Sequence, residues 1–252
     1  MAKGTRGGKR GSSSTSTPVV QRDPKDGKNW GTTRGQLDYY ELQKQINNDP
    51  SVNTDKGGMG TWGNWIGNDY EAHMIQVETG VDKETAWKYQ RAITDYTSPW
   101  KPNYKEYTAG NRPDETKAID EMLSKMGTYD GEIYRGMALG KRDAAQFLSN
   151  AKVGAEIQMK GLSSWTSDKS IAERFRDTQN GVNQNNKVGV VLRTKNKSGV
   201  GIAHISSTRD EAEVLVNTKA RWKVTGVTKT TKSYGKNNDK TRDEYIIDLE
   251  EI

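Results

Sequence analysis

At Gly131 the pattern of the chain changes, and that change restricts the fold more than any other feature. Ahead of it, apolar residues recur every three to four positions, the spacing of amphipathic helices. Beyond it come short β-branched runs, EIYRGM, VGVVLRT, GIAHI, AEVLV, RWKVTGV and EYIIDLEEI, each closed by a polar turn. One helical pattern, Ser170 to Arg176, interrupts these runs before Val188. Helices followed by strands in series specify an α+β fold with an antiparallel or mixed sheet, and not a regular βαβ repeat.

The predicted helices are Gln36–Asn47, Asp69–Tyr96 and Pro113–Met126. The first carries Leu37, Tyr40 and Ile46 and stops at Asn47-Asn48-Asp49-Pro50; the second carries Trp87, Tyr89, Ile93 and Tyr96. In the third, Pro113 suits a helix start, and Ala118, Ile119, Met122, Leu123 and Met126 form a core-facing stripe. Residues 1–34 are rich in Gly, Ser, Thr and basic side chains, a composition that does not bury a core. The expected organisation is a disordered basic tail over 1–34 and a single domain over 35–252. Within that domain, 35–126 would be a mainly helical lobe and 127–252 a mainly β core.

Several chemistries are excluded early. With no cysteine there is no disulfide, thiol nucleophile or thiolate zinc site. The two histidines, His73 and His204, do not make a metal site, so no metal is expected. No apolar stretch suits a secretory signal or a membrane span, which predicts a soluble protein without a membrane partner. The net charge of +6 favours acidic partners, but much of the excess lies in Lys3, Arg6, Lys9 and Arg10. That implies, at most, non-specific nucleic-acid contact through the tail. GGKRGSS lacks the glycine spacing of a phosphate loop, and SGVGIAH lacks the third glycine and following helix of a Rossmann site.

Three polar groups stand on or beside predicted strands. Arg135, followed by Gly136, has the planar fork that suits a phosphate, or else faces solvent or a carboxylate. Ser163-Ser164-Trp165-Thr166-Ser167 supplies more hydroxyls than capping the next helix needs. In Asp210-Glu211-Ala212-Glu213, a strand would put Glu211 and Glu213 on one face, where two carboxylates repel.

The order and spacing of these groups, an Arg-Gly strand, a Ser-rich strand ahead of Ala172-x-x-Phe175 and a Glu-x-Glu leading into Val214, resemble the arginine, serine, glutamate class of ADP-ribosyltransferases. Ala92-Ile93-Thr94-x-Tyr96-Thr97 and EVLVNTKARWKVTGV are similar to further segments of that family, and the likeness spans about 69–252. It implies two packed, roughly perpendicular sheets with NAD as substrate in the cleft between them. By position, Arg135 would hold the NAD phosphate and ribose region, with Gly136 and Ser163 beside it. Ser164 would orient Glu213, or Ser163 would if the register shifts by one. Glu213 would contact the nicotinamide ribose, and Glu211 would assist an incoming arginine of a target protein. The loop from His204 to Asp210 is expected to tune acceptor choice, and Phe175 to pack in the core.

The expected activity is mono-ADP-ribosyl transfer to a protein arginine. An NAD glycohydrolase using the same residues is the alternative enzyme, and an inactive virion protein the non-enzymatic one. The tail composition is similar to that of phage-encoded enzymes, so a phage virion or host cytoplasm is the expected location, with an exported effector as the other.

Overall fold

The structure, a computed structural model, describes residues 64–98, 103–178, 187–208, 211–234 and 240–252. The expected tail and the expected helix Gln36–Asn47 lie outside the described residues. Among the described residues, no helix is long and apolar enough to cross a membrane.

The stretch expected as one helix from Asp69 to Tyr96 is two helices, α1 (Asn64–Thr79) and α2 (Lys83–Thr97). Gly80 separates them at φ 69°, where its N–H closes α1 on the Gln76 carbonyl at 2.8 Å. A left-handed residue at a helix end is cheap for glycine and costly for residues with a Cβ. Asp82 then caps α2 by accepting the Thr85 N–H at 2.9 Å. A short α3 (Asn103–Ala109) and α4 (Pro113–Leu123) complete the helical part, with Pro113 at the predicted start.

The second half is β1 (Glu132–Gly140), α5 (Lys141–Asn150), β2 (Glu156–Gln158), β3 (Ser163–Thr166), α6 (Lys169–Thr178), β4 (Lys187–Lys195), β5 (Val200–Gly201), β6 (Glu213–Val216), β7 (Arg221–Tyr234) and β8 (Lys240–Glu251). The α+β class is as the sequence implies. The expectation of a single interrupting helix is corrected by α5, whose Phe147 and Leu148 pack against the strands. Of GIAHI only Gly201 is in a strand, β5; after it the chain turns, with the Ile205 N–H on the Ile202 carbonyl at 2.9 Å.

All eight strands form one mixed sheet in the order β2-β7-β8-β4-β1-β3-β6-β5, with β4–β8 the one parallel pairing among them. The two sheets implied by the family likeness are thus hydrogen-bonded into one, but only just. β1 pairs with β4 along nine residues and with β3 at a single register pair, Tyr134 with Thr166. The sheet divides there into a five-strand part and a three-strand part.

Two cores result. One joins α1, α2, α3 and α4 to Leu162, Val200, Ile202, Ile205 and Leu215; the other joins the five-strand part to Trp165, Val214 and Val216. Successive residues of a strand face opposite ways, so β6 feeds both cores. Trp222, fully buried with its ring 5.5 Å from that of Trp165, anchors the second core. An indole buries about 150–250 Å², which at about 25 cal/mol per Å² contributes roughly 4–6 kcal/mol.

Helix α6 lies directly on β1 and β4. A Cβ on Gly136 would sit 1.7 Å from the Ala172 carbonyl oxygen, and one on Gly189 would sit 2.9 Å from Arg176 Cγ. Arg176 is buried there, 2.9 Å from Glu244, within a group that includes Asp177, Lys232 and Arg242. These contacts fix α6, and with it the end of β3 that precedes it.

Candidate active site

Glu213 begins β6, opposite Thr166, and is 5% exposed. Burial raises its pKa, because the charged carboxylate loses water. Hydrogen bonds from the Ser164 and Ser206 hydroxyls and the charge of Arg135 oppose that rise. Ser206 Oγ donates to Glu213 Oε2 at 3.1 Å. Arg135 reaches in from β1 and donates Nη1 to the Ser164 carbonyl. Three of the expected residues, Arg135, Ser164 and Glu213, are therefore brought together where β1 and β3 part.

Ser163 is not among them. Its side chain faces the other core, is 1% exposed, and accepts the Trp165 Nε1–H at 2.7 Å. Gly136 has a packing reason for being glycine, since the backbone of α6 occupies the place of a side chain. The neighbouring hydroxyls divide their work. Thr166 Oγ1 accepts the Asp168 N–H at 3.1 Å, and Asp168 Oδ1 accepts the Ser170 N–H at 2.8 Å. Buried Ser167 Oγ has no hydrogen-bond partner among the described residues.

The expectation that Glu211 and Glu213 share one strand face is corrected. Glu211 lies ahead of β6 in a tight turn, its N–H 3.3 Å from the Thr208 carbonyl, and Ala212 between them has φ 46°. A left-handed residue ends strand alternation. The cause is the end of the ladder: after the Ser167 N–H bonds the Ala212 carbonyl at 3.1 Å, β3 turns into α6 and offers no further partner. Phe175, expected in the core, is half-buried and belongs to neither cluster; the Arg174 guanidinium lies 5.8 Å from its ring centre.

The segment holding Tyr96 and Thr97 and the loop from His204 were marked by the sequence, but not as supports of Glu213. Tyr96 Oη lies 2.5 Å from Ser164 Oγ. The Thr208 N–H bonds Ser206 Oγ at 3.1 Å, behind the hydroxyl that holds Glu213. Thr97 secures this loop twice, accepting the Ser207 N–H on its hydroxyl at 2.9 Å and the Thr208 hydroxyl on its carbonyl at 3.2 Å. His204 Nε2 is 2.9 Å from Glu78 Oε1, joining the same loop to α1. The loop from His204 to Asp210 was expected to tune acceptor choice, and nothing in its spacing singles out Ser206; Tyr96, an apolar contact of its helix and part of a family-like segment, carried no assigned role. Among the described residues, no group of three or more His, Cys, Asp or Glu is gathered to hold a metal ion.

No protein-family model matches the chain, and no curated protein does. Solved structures match it. The ADP-ribosyltransferase HopU1 of Pseudomonas syringae aligns with a TM-score of 0.51 at 13% identity, over 73% of this chain and 87% of that one. Vis toxin, an ADP-ribosyltransferase from Vibrio splendidus, aligns at 0.48 and 18%, over 73% and 82%. Plx2a, an ADP-ribosyltransferase toxin from Paenibacillus larvae, aligns at 0.47 and 16%, over 73% and 96%. The likeness to HopU1 establishes that this chain has the fold of an ADP-ribosyltransferase.

Proposed function

We propose that the chain is a mono-ADP-ribosyltransferase that cleaves NAD between nicotinamide and ribose and transfers ADP-ribose to an arginine of a target protein. The observation that carries this reading is Glu213: a buried carboxylate that accepts from Ser206 at 3.1 Å and whose charged form is favoured by Ser164 and by the charge of Arg135. A buried carboxylate without such donors would take up a proton and lose its charge. Here the donors favour the ionised form that the chemistry needs.

Departure of nicotinamide takes the electron pair of the glycosidic bond and leaves positive charge on the ribose. A fixed carboxylate stabilises that charge more than water does, because it is already oriented and little solvent competes. Arg135 offers a charged donor to an anionic, hydroxyl-rich substrate. The guanidinium nitrogen of the acceptor then bonds to the ribose carbon, and Glu211 takes the proton released. The left-handed Ala212 supports this division of labour, since it separates the two glutamates that a continuous strand would set side by side.

The test is incubation with labelled NAD and an arginine-bearing acceptor, with free and protein-bound ADP-ribose measured separately. Glu213→Gln should lose both products. Glu211→Gln should lose the protein-bound product and keep the free one. Free ADP-ribose alone from the wild type would make the chain an NAD glycohydrolase, and labelling that persists in Glu213→Gln would sink the assignment.

A further inference from the structure

The carboxylate of Glu213 is held from two sides, and both supports lead back to the same turn of the same helix. On one side the Ser164 hydroxyl favours the charged form of the carboxylate, and Tyr96 Oη lies 2.5 Å from Ser164 Oγ. On the other, Ser206 donates to Glu213 Oε2 at 3.1 Å, and the Thr208 N–H donates to Ser206 Oγ. Thr208 is in turn held by the carbonyl of Thr97, and Ser207 by its hydroxyl. Tyr96 and Thr97 are consecutive, at the end of α2.

The direction of each bond follows from counting protons. A carboxylate only accepts, so Ser164 and Ser206 each spend their single proton on Glu213. Their oxygens must accept from whatever stands behind, which makes Tyr96 the donor to Ser164 and the Thr208 N–H the donor to Ser206. Each hydroxyl is thereby locked in the rotamer that serves Glu213, and a donor behind an accepting hydroxyl strengthens the bond it makes in front. Tyr96 itself is rigid: it is 2% exposed and meets the Tyr107 ring edge-on at 5.3 Å.

We infer that Tyr96 and Thr97 are positioning residues for NAD cleavage, fixing Glu213 through Ser164 and through the 206–208 loop. The inference rests on the proposed function, and it makes α2 part of the active site's machinery although neither residue need touch substrate. It also explains why a chain of this kind holds its helical part against the three-strand part of the sheet: without α2 neither hydroxyl has a reason to face the carboxylate.

The experiment is steady-state NAD cleavage across pH for the wild type, Tyr96→Phe, Thr97→Val, Ser164→Ala, Glu213→Gln and Tyr96→Phe/Ser164→Ala, each with its melting temperature. Tyr96→Phe keeps the ring and its packing and removes one hydroxyl. It should lower kcat about tenfold, the worth of one hydrogen bond to a charged chain, with KM for NAD within about twofold. The acidic limb of the kcat profile should move to higher pH, because a weakened Ser164 no longer favours the charged carboxylate as much. The double variant should be no slower than Ser164→Ala alone, since Tyr96 acts through Ser164. A folded Tyr96→Phe with wild-type kcat and an unmoved acidic limb, or losses that add in the double variant, would overturn the proposal. If Tyr96→Phe proves poorly folded, Thr97→Val decides: an unchanged kcat in a folded Thr97→Val sinks it. A wild type with no NAD cleavage, or a Glu213→Gln that retains it, removes the proposed function and this inference with it; Tyr96 results alone leave the former standing.

Discussion

Replacing Gly136 by alanine tests whether that glycine serves the fold or the ligand. The added Cβ would lie 1.7 Å from the Ala172 carbonyl oxygen, 2.6 Å from its carbon and 2.9 Å from the Arg176 nitrogen. Ordinary contact begins near 3.4 Å, so the α6 backbone must withdraw by well over an ångström. No side chain can rotate aside, because all three atoms are backbone. Withdrawal unseats Ile171 and Ala172, which are 2% and 0% exposed, and stretches the buried pair of Arg176 with Glu244. Overpacking costs about 1–3 kcal/mol and a broken buried ion pair about 3–5 kcal/mol. Partial yielding of both gives an expected loss of about 4 kcal/mol, or roughly 10 °C in Tm for a domain of this size. Thermal unfolding by circular dichroism, paired with NAD affinity of the protein at low temperature, is the assay. A Tm within about 2 °C of wild type together with lost NAD affinity would refute the packing account and return Gly136 to the ligand.

Other consequences are as concrete. Glu213→Gln removes a charge that the fold buries at a cost, so it should abolish NAD cleavage and raise Tm by roughly 2–4 °C, about 1 kcal/mol; a lower Tm would contradict the burial argument. Because the folded pKa of Glu213 is raised, its ionisation lowers stability as pH rises through that value, while the proposed activity requires the ionised form. Activity should accordingly fail on acidification above the ordinary glutamate value of about 4.3, as a pH–rate profile would show. Asp177 has the opposite sign: against the upward push of its partial burial, Arg176 and Lys232 hold it at about 2. Its stabilisation is present above about pH 4 and disappears as pH falls toward 2, which acid titration of Tm would trace. Arg242→Met breaks the same group and should cost about 3–5 kcal/mol; a loss below about 1 kcal/mol in a denaturant melt would show the charges to be dispensable.

Much of this was legible in the residues. The β-branched runs after Gly131 marked β1, β4, β6, β7 and β8 but not β2, and Pro113 with its apolar stripe marked α4, because these patterns are set by burial on one face. The misses have local causes. Helix α5 opens on Lys141-Arg142-Asp143 and shows only Ala144, Phe147 and Leu148 as a stripe, too brief a signal at ten residues. Gly80 falls inside the stretch expected as one helix, and its positive φ ends one there. At the site, the order of Arg135, Ser164 and Glu213 is a property of the chain, and their meeting is a property of the fold. The left-handed turn at Ala212 and the choice of Ser206 among adjacent hydroxyls depend on where a ladder stops, which no spacing encodes.

The β3–β6 ladder is four register pairs long. It is the partition between two cores, with Trp165, Val214 and Val216 packed into one and Leu215 into the other. Neither core can be completed while the partition is loose, and the partition has too few residues to persist without both. Its amides should therefore be among the slowest to exchange with solvent, opening only when the whole unit unfolds. Because Ser164 and Glu213 stand on that partition, a partly folded chain has no assembled site at all. The proposed chemistry is thus coupled to complete folding, and NAD cleavage, where measured, would count fully native molecules.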